Sequence, residues 1–277
     1  MEQEKKELLL RAKDISIVFG GLKAVSDFSL DLYEGELIGL IGPNGAGKTT
    51  VFNMLSGVYK PTSGTITFVD KKGNLQVINK KSPAQLNKIG IARTFQNIRL
   101  FGGMTVRDNI KIALHNSRGV NPLDVEFRTK KFRKDEELMN QKAEHLLSLF
   151  HMENKIDELA KNLPYGEQRK LEICRALASG PKLLLLDEPA AGMNGQETEE
   201  LMKMIAFIRR EFNLAVLLIE HDMKLVMGIC ERLMVLNYGS IIASGTPAQI
   251  QSNPTVIKAY LGSGYEQMAN TNNGGNL

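Results

Sequence analysis

Leu37-Ile38-Gly39-Leu40-Ile41-Gly42-Pro43-Asn44-Gly45-Ala46-Gly47-Lys48-Thr49-Thr50 decides the fold of this 277-residue chain. Leu37–Ile41 has no polar side chain, as expected of a central parallel strand covered on both faces. Glycines then break the strand, and Val51-Phe52-Asn53-Met54-Leu55 returns to a helical apolar pattern. A buried strand, a glycine loop and a helix in that order make a phosphate-binding loop. Small glycines let successive amides turn inward around phosphate oxygens, and the helix adds its positive N-terminal end. Lys48 suits the beta and gamma phosphates, and Thr49 suits a magnesium ion.

Working outward, Leu183–Leu186 is a second buried-strand candidate, and it ends in Asp187-Glu188. The two carboxylates leave the strand in different directions, so Asp187 can organise a metal while Glu188 orients an attacking water. Leu214–Ile219 is a third such strand. Helical patterns lie at 104–114, 141–152, 168–178 and 197–212. Alternating strands and helices favour a three-layer α/β core with an inserted or adjoining helical region. The opening, residues 8–40, reads as β-rich, and Thr65–Val69 with Leu75–Ile78 as a small antiparallel pair. Leu233–Asn237 with Ile241–Ala243 suggests a short β meander, and Pro247–Leu261 suggests helices.

Composition excludes the extremes. The chain is 43% hydrophobic and 24% charged, which supplies a packed core and argues against wholesale disorder. A net charge of +4 is too slight to point to nucleic acid, and the basic run Arg128–Lys134 has no aromatic stacking array beside it. That run is expected in a solvated, partly helical insertion over 116–140. Two distant cysteines make no disulfide framework and read as buried free thiols of a reducing compartment. The first residues do not resemble a secretory signal, and the longest apolar runs are too short to cross a bilayer. The polar end, 266–277, reads as a flexible tail.

Further segments add a family resemblance. Arg93-Thr94-Phe95-Gln96 resembles a Q-loop, Leu163-Pro164-Tyr165-Gly166-Glu167-Gln168 a signature segment, Ala190–Asn194 a D-loop and Glu220-His221-Asp222 a switch region. With the glycine loop and Asp187-Glu188, the order from Phe19 to His221 resembles the ATP-binding cassette (ABC) family. Arg93–Phe101, Glu188–Asn194, Ile219–Ile229 and Asn253–Gly262 resemble more closely the ATP-binding subunits of branched-chain amino-acid importers, the LivG type.

The resemblance implies an ABC nucleotide-binding domain: a P-loop NTPase core with an antiparallel β subdomain and a helical lobe. The single domain would span 8–261, with 8–95 and 182–250 as core and β subdomain and 96–181 as helical lobe. A helical extension would occupy 251–265. It implies ATP and Mg2+ as ligands, with Phe19, Gly42, Pro43, Asn44, Gly45, Ala46, Gly47, Lys48, Thr49, Thr50 and Gln96 at the nucleotide. Thr49, Gln96 and Asp187 would serve the metal, and Glu188 and His221 catalysis. Leu163, Tyr165, Gly166, Glu167 and Gln168 would face nucleotide held by the opposite subunit, and Asn194 would lie in the D-loop.

Three positions depart from the common pattern. Pro164 stands for a serine and supplies no phosphate-donating hydroxyl, Tyr165 replaces a glycine, and Asn194 replaces an aspartate. The implied partners are two transmembrane permeases, a second cassette subunit or another copy of this chain, and indirectly an extracytoplasmic solute-binding protein, with no nucleic acid. The implied place is the cytoplasmic face of the inner membrane. Importers for urea or another small polar solute, a lipopolysaccharide-export ATPase and a soluble non-transport ABC ATPase are the alternatives.

Overall fold

The computed structural model describes residues 7–115 and 129–260. The expected stretches 116–128 and 261–277, tail included, lie outside the described residues. Strands β1 (Leu8–Phe19) and β2 (Leu22–Tyr33) form a hairpin through Gly20-Gly21, and β4 (Ser63–Val69) and β5 (Leu75–Val77) form another. Together they make a four-stranded antiparallel sheet in the order β2-β1-β4-β5. One face buries Ile15, Ile17, Phe28, Leu30, Ile66 and Phe68, in keeping with the alternation of a half-buried sheet.

The second sheet holds β3 (Leu37–Ile41), β6 (Ile91–Arg93), β7 (Leu183–Asp187), β8 (Ala215–Ile219), β9 (Arg232–Asn237) and β10 (Ser240–Gly245), in the order β10-β9-β3-β8-β7-β6. Every residue of β3, β7 and β8 is buried, and those strands run parallel. Register decides where the chemistry sits. Leu40 lies opposite Ile219, and Ile219 lies opposite Asp187, so the segments that follow β3, β7 and β8 emerge together at one sheet end.

Helix α1 (Lys48–Leu55) buries Val51, Phe52, Met54 and Leu55 against the β-sheet core. Helices α2 (Pro83–Ile89), α3 (Val106–His115), α4 (Lys130–Leu149) and α5 (Tyr165–Ala178) follow, and α3 packs between α4 and α5. Met139, Ala143, Leu147 and Phe150 recur at helical spacing along one side of α4 and its end and bury with Ile110, Leu114, Leu171 and Leu177. Helices α6 (Gly195–Glu211), α7 (Met223–Ile229), α8 (Pro247–Gln251) and α9 (residues 254–260) complete the described chain. Both cysteines are free and buried. Burial pushes the Cys174 thiol far up and the Cys230 thiol up to about 12.

Four features of the fold go beyond what the sequence pattern predicts. Strands β9 and β10 pair antiparallel, in keeping with the expected short meander, and β9 in addition lies parallel beside β3 in the main sheet. Helix α4 begins at Lys130, not near 141, because the Thr129 hydroxyl accepts the Phe132 N–H at 3.3 Å and caps it within the basic run. Helix α2 was not anticipated, although Ser82 and Gln85 form a reciprocal capping box with Pro83 in the first turn. Strand β6, three residues long, was also missed. It closes the sheet edge beside β7 and delivers Arg93 and the loop after it to the end of the sheet.

Candidate nucleotide site

The glycine loop leaves β3 and enters α1 through backbone conformations that side chains reject. At Gly42, with φ 150°, an added Cβ would lie 2.0 Å from the Leu236 carbonyl oxygen. At Gly47, with φ 100°, it would lie 3.0 Å from the Ala24 carbonyl. Strand β9 therefore presses the loop from one side, and the Gly239 N–H donates to Ala46 O at 2.9 Å from the β9–β10 turn. Helix α1 opens with no side-chain cap and no acidic residue in its first turn, so its N-terminal amides face an anion unopposed. That cradle fits a polyphosphate.

Lys48 lies buried within the loop and donates to Gly42 O at 2.7 Å and Pro43 O at 2.9 Å. Burial pulls its ammonium below the usual lysine range, with Glu188 acting in the opposite direction. Pro43, Asn44, Gly45 and Ala46 also form one wall of a cleft whose other wall carries Thr255, Lys258 and Ala259 of α9.

Glu188 sits one residue beyond β7 at φ 46°, a left-handed conformation that costs a non-glycine residue about 1–2 kcal/mol. The surroundings hold it there: its N–H donates to Ile219 O at 2.9 Å, and both carboxylate oxygens are engaged. The Gln96 side-chain amide donates to Oε2 at 2.7 Å, and His221 Nε2 donates to Oε1 at 2.9 Å. Two residues from two separate loops thus converge on one carboxylate. Each oxygen keeps lone-pair capacity for a water.

Asp187, at the end of β7, is buried and bound to Arg93 at 2.7 Å. Arg93 also donates to Asn53 Oδ1 and Ser56 Oγ, each at 2.7 Å, and so joins β6 to α1 and β7. Sequence reasoning quoted Arg93 only as part of a motif and gave it no role. Among the described residues no cluster of three His, Cys, Asp or Glu could hold a metal unaided. One carboxylate, Asp187, and one hydroxyl, Thr49, at the phosphate cradle suit Mg2+, which takes most of its ligands from phosphate and water.

Glu220 is a second residue given no role from sequence. Buried after β8, it accepts the Ala190 N–H at 2.7 Å and the His221 N–H at 3.0 Å. Burial pushes its carboxyl above the usual range, with those donors opposing. It fixes the start of the 190–194 loop to the histidine segment. At the other end Asn194 caps α6, accepting from Gln196 and Glu197 N–H at 3.0 Å each while Glu197 returns a bond to Asn194 N. The asparagine is thus bound into its own helix start.

Residues 163–168 open α5, whose first helical residue is Tyr165 after Pro164 in the cap position. Leu163 is buried, and its carbonyl accepts from the Gln168 amide at 2.8 Å. Glu167 pairs with Lys155 at 2.5 and 2.6 Å. The Tyr165 hydroxyl donates to Ala191 O at 3.0 Å, and Gly166 is buried, where an added Cβ would lie 3.2 Å from the Glu197 carboxylate. The helix carries no side-chain cap, and the Glu167 and Gln168 N–H groups both donate to Pro164 O at 3.0 Å. Phe19, at the end of β1, is 44% exposed and meets Tyr59 edge-on at 5.2 Å.

Between the core and the helices lies a groove of about 670 Å³ lined by Arg93, Phe95, Arg99, Phe101, Glu172 and Arg175 among others. Arg99 stacks on Phe95 at 4.0 Å, and Arg175 lies over Phe101 at 5.6 Å. The groove therefore begins at the loop that carries Gln96.

Comparison with known proteins gives two family matches. Residues 25–191 match the ABC transporter family, and residues 240–266 match the family described as branched-chain amino acid ATP-binding cassette transporter. The chain is 46% identical over 254 residues to the high-affinity branched-chain amino acid transport ATP-binding protein LivG of Escherichia coli K12, covering 92% of this chain and 98% of that one. It is 44% identical to the corresponding protein BraF of Pseudomonas aeruginosa, with the same coverage. Among solved structures, the ADP conformation of MJ1267, an ATP-binding cassette of an ABC transporter, superposes with a TM-score of 0.78 at 32% identity, covering 92% of this chain and 99% of that one.

Proposed function

The chain belongs to the ABC transporter family, and on that premise we propose that it is the ATPase subunit of a branched-chain amino-acid importer. The observation that carries the cargo reading is the joint match of both family descriptions with the likeness to LivG and BraF over nearly their whole length. The match over 240–266 favours it over importers of urea or other polar solutes and over lipopolysaccharide export.

In this reading the glycine loop from Gly42 to Thr50 wraps the ATP phosphates, and Lys48 turns from its two loop carbonyls to the beta and gamma oxygens. Phe19 offers its exposed ring to adenine. Thr49 and Asp187 would hold Mg2+, with Gln96 close by. When bound, that ion would supply charge neutralisation for the phosphates. Glu188, held between Gln96 and His221, orients a water toward the gamma phosphorus and takes its proton. His221 then stabilises the charge that develops on phosphate oxygens.

The open N-terminal end of α5, with Gly166 in its first turn, would face ATP bound to a second cassette subunit, either another copy or a relative. Closing that pair moves the helices against the core. The groove beside Phe95 and Arg99 would carry the movement to a permease, two of which form the membrane path, while an extracytoplasmic binding protein selects the solute. Among the described residues no helix is long and apolar enough to cross a membrane. In this reading the subunit works at the cytoplasmic face of the inner membrane through its permease contacts.

Affinity purification from solubilised membranes tests this arrangement. Two permease chains are expected to come down with the tagged subunit in fixed proportion. Recovery in a soluble assembly, with no membrane protein at any detergent condition, would overturn the transporter reading.

A further inference from the structure

Arg169 has a side chain with no exposed surface, on the inward side of α5, four residues past Tyr165. Its two terminal nitrogens hold four groups. Nη1 donates to Phe95 O at 2.7 Å and Glu172 Oε2 at 2.8 Å. Nη2 donates to Gln96 O at 2.6 Å and to the Tyr165 hydroxyl oxygen at 3.3 Å. Glu172 in turn accepts the Arg99 N–H at 3.2 Å through its other oxygen. Among the described residues the buried Nε finds no hydrogen-bond partner.

A fully buried ion pair is a poor device for stability, because desolvating both charges offsets most of their attraction. What this pair does hold is backbone. The two carbonyls it grips flank the Cα of Gln96, whose side chain reaches Glu188. A rotation of either peptide would swing that amide off the carboxylate. A planar guanidinium holds the two carbonyls from separate nitrogens in one rigid fork, which fixes their relative orientation more tightly than a rotating ammonium does. The Tyr165 hydroxyl, which accepts from Arg169, donates to Ala191 O in the loop just after Glu188. One cation therefore joins the start of α5, the Gln96 loop and the loop following the catalytic strand.

We propose that Arg169 is a positioning residue for ATP hydrolysis, fixing the Gln96 backbone so that Gln96 and His221 together hold Glu188, and releasing that hold when α5 shifts. The inference rests on the reading of Glu188 as the group that orients water. It makes the orientation of α5, and so the engagement of its N-terminal end with a second subunit, a condition for a competent Glu188.

The test uses the full-length chain and measures kcat, ATP affinity and melting temperature side by side. Arg169→Met/Glu172→Met replaces the pair with apolar side chains of similar length and removes both of its charges together, while Arg175 loses the Glu172 carboxylate that opposes its desolvation. ATP affinity is expected to stay within about threefold of the parent and kcat to fall about tenfold or more, a split that loss of the fold would not give. Gln96→Ala alone should cost about tenfold, yet less than about twofold when added to the double variant, because the amide is already misplaced. Full multiplication of the two losses, or parent-like kcat in the folded double variant, would overturn the proposal.

If the double variant does not fold, Arg169→Lys with and without Gln96→Ala runs the same cycle. Its kcat is expected between parent and double variant, since lysine keeps the charge and loses the fork. Glu188→Gln is measured in parallel. Parent-like turnover there would fail the reading of Glu188 itself. Its collapse beside a parent-like Arg169 variant would fail only the role of Arg169.

Discussion

Glu188→Gln is expected to bind ATP as the parent does while losing turnover by about 100- to 1,000-fold, the range of a lost general base. The substitution is close to isosteric, and the strained backbone at φ 46° is no worse for glutamine than for glutamate. Its amide cannot accept a proton, however, and one of its ends meets a donor where the carboxylate accepted. Gln96 and His221 both donate to this side chain, so at least one contact is lost. ATP binding rests on the glycine loop and Lys48, which the change does not touch. A closed, ATP-loaded pair of subunits should therefore accumulate. Steady-state phosphate release from matched preparations checks the claim, and equal rates for mutant and parent would reject the role of Glu188.

Lys48→Ala should act at the opposite step, weakening ATP binding by about 100-fold, on the scale of two lost hydrogen bonds between charged groups. The loss has two parts. The phosphates lose their only buried cation among the described loop residues 42–50, and Gly42 and Pro43 lose the donor that holds their carbonyls. The ammonium is already partly stripped of water, so its charge acts at close range when phosphate arrives. Direct titration with a fluorescent nucleotide reads the effect. Undiminished affinity would count against the clamp.

Much of this site was legible because its signals are local. An apolar strand followed by glycines states its own geometry, and so does Leu183–Asp187, whose five residues all lie buried. Parallel register then brings Gly42, Glu188 and His221 to one sheet end, as the motif order implied. The pairing of β9 with β3 was not legible, since Arg232–Asn237 lies almost two hundred residues from its neighbour and its pattern fits either sheet. Capping signals at Ser82 and Thr129 were present in the sequence and passed over.

The charged residues were the least readable. Arg93, Arg169, Glu172 and Glu220 look like solvated side chains in any local window, and each is buried or nearly so in the fold. Only tertiary packing reveals that Arg93 faces Asp187 and that Arg169 faces the carbonyls beside Gln96. These residues connect the recognised motifs to one another, and a connection between distant segments has no sequence spacing by which to find it.

Energising the uptake of branched-chain amino acids is the role proposed for this chain. Its most direct test is reconstitution in proteoliposomes with the co-purifying permeases and binding protein, followed by uptake of labelled leucine, isoleucine and valine in competition with urea and other solutes. ATP-dependent accumulation of the three amino acids is expected, and Glu188→Gln should abolish it. Robust ATP-driven uptake of a different solute, with none of the three transported, would contradict it.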